Sequence, residues 1–210
     1  MDKKILFFGA TGNTGIEICK ALESNNLEYI AFIRKGSEPK IYNSNTVLIY
    51  GDVLEKSDVD KAINENDFTD IIIALGSRNF RGREIRFCGT KNIIDSLNSN
   101  NKEAKIHVIS ANGIANTWKN LKWHEKLICK LIMSKAMKDH ELQEEVVCSN
   151  KGGYHIIRPV GLTNESGSDK IIAEEEKVLP KSKISRANVA KYLVDSLISN
   201  VKGKHSICDA

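Results

Sequence analysis

Three glycines recur at every third position after the first apolar run of the chain, at Gly9, Gly12 and Gly15 in the segment GATGNTG. Glycine at this spacing lets a bulky anionic group approach the backbone, because no Cβ atom stands in the way. The run before it, residues 3–9, is apolar without alternation, which predicts a strand buried on both faces. A Gly-rich turn between a buried strand and a helix is typical of a pyrophosphate-binding loop.

The helix that follows would complete this phosphate site. Its first N–H groups have no helical partners, and its positive dipole end favours a bound phosphate. We predict that Gly9 permits the tight turn, Gly12 admits the pyrophosphate and Gly15 lets the helix pack on the strand. The alternative is an ordinary turn that uses glycine for its geometry alone. A kinase-type phosphate loop is excluded, because no G-K-[ST] follows. The cofactor contacts predicted in this loop are Gly9, Thr11, Gly12, Asn13, Thr14 and Gly15.

A side-chain cap is expected at the start of this helix. Asn13 and Thr14 stand where its first turn begins, and either side chain can accept a hydrogen bond from a free backbone N–H. We therefore predict that one of them is the capping residue.

Two basic residues end the second predicted strand, residues 28–34. In dinucleotide-binding folds this place commonly holds an acid that accepts a hydrogen bond from the ribose 2′-hydroxyl of NAD. Here Arg34 stands there and Lys35 follows. A guanidinium can bind a 2′-phosphate with two parallel hydrogen bonds, so the pattern predicts NADP (NADPH) as the cofactor. A solvated strand end is the alternative for both residues.

Asp52 ends the third predicted strand, residues 46–52, and Val53 follows it. The carboxylate could accept a hydrogen bond from the adenine amino group, so both residues are candidate cofactor contacts. A plain cap of the strand end explains Asp52 almost equally well.

Apolar runs and amphipathic stretches alternate along the whole chain, which predicts crossover units and a parallel sheet. The expected fold is α/β, a single-domain Rossmann-type doubly wound parallel sheet with helices on both faces, spanning residues 1–210. The polar stretch 162–170 is predicted to be a loop. The last helix is predicted to start at Ser185. The predicted strands are 3–9, 28–34, 46–52, 70–76, 105–110, 154–159 and 205–209, and the longest helical region is 118–149.

Composition favours a cytoplasmic protein with a small-molecule partner. The net charge of +4, from 31 basic and 27 acidic residues, is too small for a nucleic-acid signature. The five cysteines are scattered without a C-x-x-C pair, as in a reducing compartment. The first strand begins at once, which argues against a signal peptide, and no apolar run approaches the ~20 residues that span a bilayer. We expect a monomer or weak homodimer that binds neither nucleic acid nor membrane.

Several motifs together resemble one family. The segments GATGNTG, GDV, ALGSRN, VISANG, YHIIRP and SRANVA follow the order and spacing of atypical short-chain dehydrogenase/reductases of the NmrA-like type. Within that group the chain is similar to NADPH-dependent flavin and biliverdin reductases, over about residues 3–208. The resemblance implies that an NADPH-bound domain passes hydride to a flat conjugated acceptor. It also implies that Ser110, the candidate catalytic residue, lies beside the nicotinamide, and that the cofactor is lined by Leu75, Gly76, Arg78 and Pro159.

The usual proton donor of short-chain reductases is missing. They use a Tyr-x-x-x-Lys pair, whereas no tyrosine of this chain has a lysine four residues later. Hydride added to an isolated ketone leaves an alkoxide that needs a positioned acid. A flavin, linear tetrapyrrole or quinone spreads the charge, so water can supply the proton later. Ser110 could orient the nicotinamide, or it could be a strand-end hydroxyl satisfied by backbone.

Two classes of function therefore stay open from the sequence. One is an NADPH-dependent reductase of conjugated acceptors. The other is a non-catalytic NADP(H) sensor or assembly protein, because some NmrA-like proteins bind the cofactor without turning it over.

A basic segment, residues 116–138, lies between the fifth and sixth predicted strands. Trp118 and Trp123 are candidate acceptor-stacking residues of a lid, and lysines of the segment could attract acidic groups of the acceptor. One alternative is a packed helix with a solvated basic face, which the pattern favours. Another is a role at a membrane surface. Next to it, HELQE (140–144) has Glu144 where a zinc motif needs histidine, so we expect no metal and interpret the stretch as helix surface.

Overall fold

The structure is a computed structural model that describes residues 3–37, 46–76, 84–131, 133–168 and 170–210. Strands and helices alternate through its first two thirds, as the apolar pattern predicts. The helices are α1 (Asn13–Ser24), α2 (Lys56–Asn64), α3 (Ile85–Ser99), α4 (Trp123–Leu131), α5 (Ser134–Cys148) and α6 (Arg186–Ile198), with a 3₁₀ helix at Ala115–Asn120. The strands are β1 (Ile5–Phe8), β2 (Tyr29–Ile33), β3 (Val47–Tyr50), β4 (Asp70–Ile73), β5 (Lys105–Ile109), β6 (Tyr154–Pro159), β7 (Gly161–Thr163), β8 (Ile171–Glu174), β9 (Lys183–Ser185) and β10 (Gly203–Asp209).

Eight strands form the main sheet in the order β3-β2-β1-β4-β5-β6-β10-β8. Every neighbouring pair is parallel except the last, in which β8 runs antiparallel to β10. The predicted Rossmann-type α/β fold is therefore confirmed. The loop predicted at 162–170 is wrong at its start, because β7 covers Gly161–Thr163 and pairs with β9 in a separate two-stranded sheet.

Strand β1 is buried on both faces, which explains its apolar run. Ile5 and Phe7 belong to a core shared with α1 and α6, whereas Leu6 and Phe8 belong to a core shared with α2 and α3. Successive side chains of a strand point to opposite faces, so a strand between two helical layers needs apolar residues at every position. The sheet thus separates two cores, one on each side.

The N-terminus of α1 differs from the prediction, whereas that of α6 agrees with it. Helix α1 begins at Asn13 with Gly12 as its N-cap residue, and no described side chain caps it, so the predicted Asn13 or Thr14 cap is wrong. Helix α6 begins at Arg186, directly after Ser185, so its predicted start is confirmed to within one residue. The Oγ of Ser185 caps the helix by accepting a hydrogen bond from the Asn188 backbone N at 3.1 Å.

A row of histidines crosses the sheet on the side of α6. His107 Nε2 lies 2.9 Å from Asp70 Oδ1, and His155 Nε2 lies 3.1 Å from His205 Nδ1. The rings of His107 and His155, both buried, meet edge to face at 5.9 Å. Burial, and then the charges of His107, His205 and Lys105, lower the pKa of His155 to about 3. Burial likewise lowers the pKa of His107, against the hydrogen bond that its ring makes to Asp70, which raises the pKa.

Acid should therefore destabilise the fold well above the pH at which carboxylates titrate. A histidine whose pKa is lowered by folding takes up its proton more readily in the unfolded chain. The contribution of such a histidine to the free energy of unfolding is fully present above the unfolded pKa of about 6.5. It is lost progressively as the pH drops towards the folded pKa of about 3. The loss is about 1.4 kcal/mol per pH unit for each such histidine.

The measurement is urea unfolding at pH values from 7 to 4.5. We expect the free energy of unfolding of the wild type to fall over this range. That of His155→Gln should fall less steeply, because one proton fewer is taken up on unfolding. A wild type equally stable at both ends of the range would contradict the assignment.

Candidate functional site

The predicted cofactor residues that the structure describes, and Ser110, follow the carboxyl ends of strands at one edge of the sheet. Because the strands are parallel, their carboxyl ends lie together, and the loop at Gly9–Gly15 follows β1 there. The chain moves outwards from β1 to β3 and then returns to place β4 on the other side of β1. This reversal makes β1 and β4 the borders of a crevice, the usual place for a nucleotide in such sheets.

Two of the three loop glycines are required by the fold itself. Gly9 has a φ of +97°, and a Cβ atom on it would lie 2.4 Å from the carbonyl oxygen of Ala74. A Cβ atom on Gly15 would lie 2.2 Å from the Gly9 carbonyl oxygen, so helix α1 could not pack so closely on the loop. Gly9 therefore permits the turn and Gly15 the packing, in the manner that the motif predicts.

Gly12 is different. Its φ of −77° suits any residue, and a Cβ atom on it would have one described neighbour within 4 Å, the Gly9 oxygen at 3.4 Å, an ordinary contact. Gly12 is also exposed, and it is the N-cap residue of a helix that no described side chain caps. An uncapped N-terminus leaves backbone N–H groups for a ligand. These residues thus fit the pyrophosphate of a dinucleotide.

The other predicted cofactor residues lie along the same edge. Arg34 and Lys35 are exposed just after β2. Asp52 lies after β3, where its Oδ1 accepts a hydrogen bond from the Leu54 backbone N at 3.0 Å, which supports the capping interpretation of its carboxylate. Buried Val53 accepts a hydrogen bond from Asn92 Nδ2 through its carbonyl oxygen.

The end of β4 also reaches this edge. Leu75 packs against helix α3, where a Cβ atom on Gly89 would come within 2.8 Å of its side chain. Gly76 is exposed, and Arg86 Nη2 lies 3.8 Å from the place of its Cβ. Arg78 lies outside the described residues. Pro159 ends β6, and its carbonyl oxygen accepts a hydrogen bond from the Asn112 backbone N at 2.9 Å.

Ser110 takes part in a buried polar network that the sequence did not predict. Its hydroxyl donates a hydrogen bond to Glu144 Oε1 at 2.7 Å. Arg158 donates to both oxygens of the same carboxylate, from Nε at 2.8 Å and from Nη2 at 2.6 Å. Its Nη1 donates to Asn116 Oδ1 at 2.8 Å. The prediction that Glu144 lies on the helix surface is wrong, because its side chain is buried against Arg158.

A signal for this network was present in the sequence. Arg158 stands inside the apolar strand segment YHIIRP, and a guanidinium buried in a sheet needs a carboxylate partner. The sequence did not show which acid that is. Glu144 lies on α5, 14 positions earlier, and Ser110 lies a further 34 positions before it.

A second buried ion pair joins α5 to the start of α3. Asp139 Oδ2 accepts from Arg86 Nη1 at 3.1 Å, and its Oδ1 accepts from the Phe87 backbone N at 2.9 Å. Burial, and then the charge of Arg86, lower the pKa of the neighbouring His140 to about 3. Helix α5 thus presents Asp139 to one neighbouring element and Glu144 to another.

The two tryptophans predicted to stack on an acceptor are both exposed. Trp118 lies in the 3₁₀ helix, two residues after Asn116, and Trp123 is the first residue of α4. The structure places neither of them in the buried network around Ser110.

The fold and the glycine loop define a dinucleotide-binding protein, and comparison with known proteins agrees. Residues 9–200 match the model of a family described as NAD(P)H-binding. The chain belongs to this NAD(P)H-binding family, which confirms the family resemblance read from its motifs. An Arabidopsis thaliana protein described as uncharacterized and chloroplastic is 27% identical over 213 residues, covering 93% of this chain and 72% of its own length.

Solved structures show the same fold. An anaerobilin reductase from Escherichia coli O157:H7 matches with a TM-score of 0.80 at 18% identity, covering 98% of this chain and 97% of its own. A short-chain dehydrogenase/reductase from Veillonella parvula in complex with NADP matches with a TM-score of 0.79 at 16% identity, covering 100% and 95%. Within the described residues, no helix has the length and apolar character needed to cross a membrane.

The difference between the glycines gives a test of the phosphate site. Gly12→Val should leave the fold intact, because the backbone there suits valine, yet place a side chain where the pyrophosphate is predicted to lie. We expect calorimetric titration to show NADPH affinity lost while the thermal midpoint changes by only a few degrees.

Gly15→Ala is the matched comparison. Its Cβ would clash with the loop backbone, so this variant should lose stability even without ligand. Unchanged NADPH affinity in Gly12→Val would refute the proposed phosphate site.

Proposed function

We propose that the protein is an NADPH-dependent reductase that transfers hydride to a flat conjugated acceptor, such as a flavin, a linear tetrapyrrole or a quinone. The family supplies the coarser part of this proposal, a domain that binds NAD(P)H. The preference for NADP, the conjugated acceptor and the role of Ser110 go beyond what the family shows and are proposed.

One observation carries the choice of acceptor. The Ser110 hydroxyl donates its hydrogen bond to Glu144, and the carboxylate, paired with Arg158 in bidentate geometry, can only accept. The proton of Ser110 is thus directed into the protein. Its remaining lone pairs can accept a hydrogen bond, for example from a carboxamide or a ring N–H. A serine held in this way orients a ligand but is a poor general acid, which favours an acceptor that needs none.

The chain's residues then act by binding and orientation. When bound, NADPH supplies a hydride. The α1 N-terminus and Gly12 would hold the pyrophosphate, and Arg34 with Lys35 would pair with the 2′-phosphate. Ser110, fixed by Glu144, would hold the reacting ring by accepting a hydrogen bond. Water would supply the proton after hydride transfer. We further propose that the protein works in the cytoplasm, where its cysteines would stay reduced.

Turnover tests this proposal directly. Purified protein is mixed with NADPH and with FMN, dichloroindophenol or biliverdin, and the loss of absorbance of NADPH is followed. Oxidation that requires one of these acceptors supports the reductase. Tight NADPH binding without oxidation in the presence of any of them would instead favour the sensor or assembly role.

Cofactor choice should depend on Arg34. Loss of its charge-assisted pair with a 2′-phosphate should weaken NADPH binding in Arg34→Ala by about 1.5–3 kcal/mol and leave NADH binding almost unchanged. Titrations with both cofactors measure the difference.

Lys4→Ala is the control for Arg34→Ala, because it removes an exposed positive charge at the opposite edge of the sheet, before β1. It should alter neither affinity. Equal weakening of NADPH and NADH in Arg34→Ala, or a wild type that prefers NADH, would argue against NADP.

Ser110→Ala should cost little in turnover. If no side chain donates the proton, kcat with FMN should fall less than about tenfold, far from the ~10²–10⁴-fold typical of a lost general acid. The variant should stay folded, because Glu144 Oε1 keeps its hydrogen bond from Arg158 Nε. Steady-state kinetics and NADPH titration separate the two effects. A drop of several orders of magnitude in kcat with intact NADPH affinity would show that Ser110 takes part in the chemistry.

A further inference from the structure

Helix α4 turns its apolar side away from the protein. Trp123, Leu127 and Leu131 follow one another at intervals of four residues, and they are 78%, 50% and 70% exposed. Ile128, beside them, is 48% exposed. We call these four residues the α4 apolar face. Glu125 and Cys129, on the other side of the helix, are less exposed. This is the reverse of a surface helix that packs on a core, which exposes its polar side.

Positive charge is concentrated around this face. Residues 116–138 contain six lysines and one acidic residue, Glu125, so they carry +5 while the whole chain carries +4. The rest of the protein is therefore slightly negative. Five of the six lysines are exposed: Lys119, Lys122, Lys130, Lys135 and Lys138. The sum of +5 already includes Glu125, whose carboxylate accepts a hydrogen bond from the Lys122 backbone N at the start of the helix.

We propose that the α4 apolar face docks on the surface of an anionic lipid bilayer. Aromatic and aliphatic side chains on one side of a helix, with lysines beside them, are the features that hold a helix in the interface of a membrane. Tryptophan favours the level of the headgroups, and lysines are attracted to an anionic surface. A helix of nine residues can lie on a bilayer but cannot span it.

This inference differs from the expectation of no membrane partner, which followed from the lack of a membrane-spanning apolar run and favoured a packed helix over a membrane-surface role for this segment. A second copy of the chain is a less suitable occupant. In a two-fold symmetric dimer built on this face, each lysine-rich segment would face its own copy, so the charges would repel. A bilayer with anionic lipids presents the opposite charge. The inference does not rest on the reductase proposal. It uses no residue of the cofactor loop or of the Ser110 network, and it gives Trp123 a role at a lipid surface in place of the predicted stacking on an acceptor.

Intrinsic fluorescence can test the docking directly, because both tryptophans of the chain, Trp118 and Trp123, lie in this segment. The full-length protein is titrated with unilamellar vesicles of phosphatidylcholine that contain about one third phosphatidylglycerol. We expect the emission to shift to the blue as Trp123 enters the interface, also in Trp118→Phe. Vesicles of phosphatidylcholine alone should bind at least about tenfold more weakly, and salt should weaken binding to the anionic vesicles.

Two double variants distinguish the α4 apolar face from exposed apolar residues elsewhere on the protein. Leu127→Glu with Leu131→Glu should reduce the vesicle partition coefficient by at least about tenfold. Val178→Glu with Ile198→Glu makes the same change of charge at exposed apolar residues elsewhere and should bind like the wild type. Sedimentation with vesicles measures the partition, and circular dichroism checks that each variant is folded.

The other outcomes overturn the proposal. If the emission of the wild type does not shift when anionic vesicles are added, the proposal is overturned without any variant. Equal binding to neutral vesicles would remove the role of the lysines. A blue shift that grows with protein concentration in the absence of lipid would identify a second copy as the occupant.

Discussion

The buried ion pair between Glu144 and Arg158 joins the parts on which the site depends. Arg158 lies near the end of β6 and Glu144 lies on α5. The remaining terminal nitrogen of the guanidinium, Nη1, donates to Asn116 in the 3₁₀ helix. The carboxylate also holds Ser110 at the end of β5. Such a pair contributes little net stability compared with an apolar replacement, but losing one partner costs about 3–5 kcal/mol because the remaining buried charge loses its bidentate partner. Lys204 Nζ, 3.5 Å from Glu144 Oε2, is a second cation beside the carboxylate. Its value here is that it fixes four elements in one arrangement.

This arrangement has a chemical consequence at the sheet edge. In a short-chain reductase with a tyrosine acid, a hydroxyl group directs its proton towards the substrate. Here the Ser110 hydroxyl donates its hydrogen bond to the buried Glu144 carboxylate and so directs its proton into the protein. The missing Tyr-x-x-x-Lys pair and the Ser110–Glu144 hydrogen bond thus point to the same property, an edge suited to orienting a ligand. The two observations are independent, because one comes from residue spacing and the other from geometry.

The sequence predicted most, but not all, of the features that depend on adjacent residues, since the cap expected at Asn13 or Thr14 is absent among the described side chains. The apolar run of β1, the glycine loop and the Ser185 cap were all predictable, because each depends on a few adjacent positions. The Glu144–Arg158 pair was not, since choosing among 27 acidic residues requires the tertiary packing of α5 on β6. The amphipathic pattern of α4 predicted an apolar face, but periodicity does not show whether protein or another medium covers it.

Gly12 and the α4 apolar face are linked by the same reasoning. Where packing explains a residue, as the clash at Gly15 does, no ligand is needed to account for it. Gly12 has room for a side chain and lacks one, and α4 has apolar side chains that are 48–78% exposed. In both cases the fold would be at least as well served by another residue. What the fold leaves unexplained is the ground for both proposals, a pyrophosphate at the first place and a lipid surface at the second.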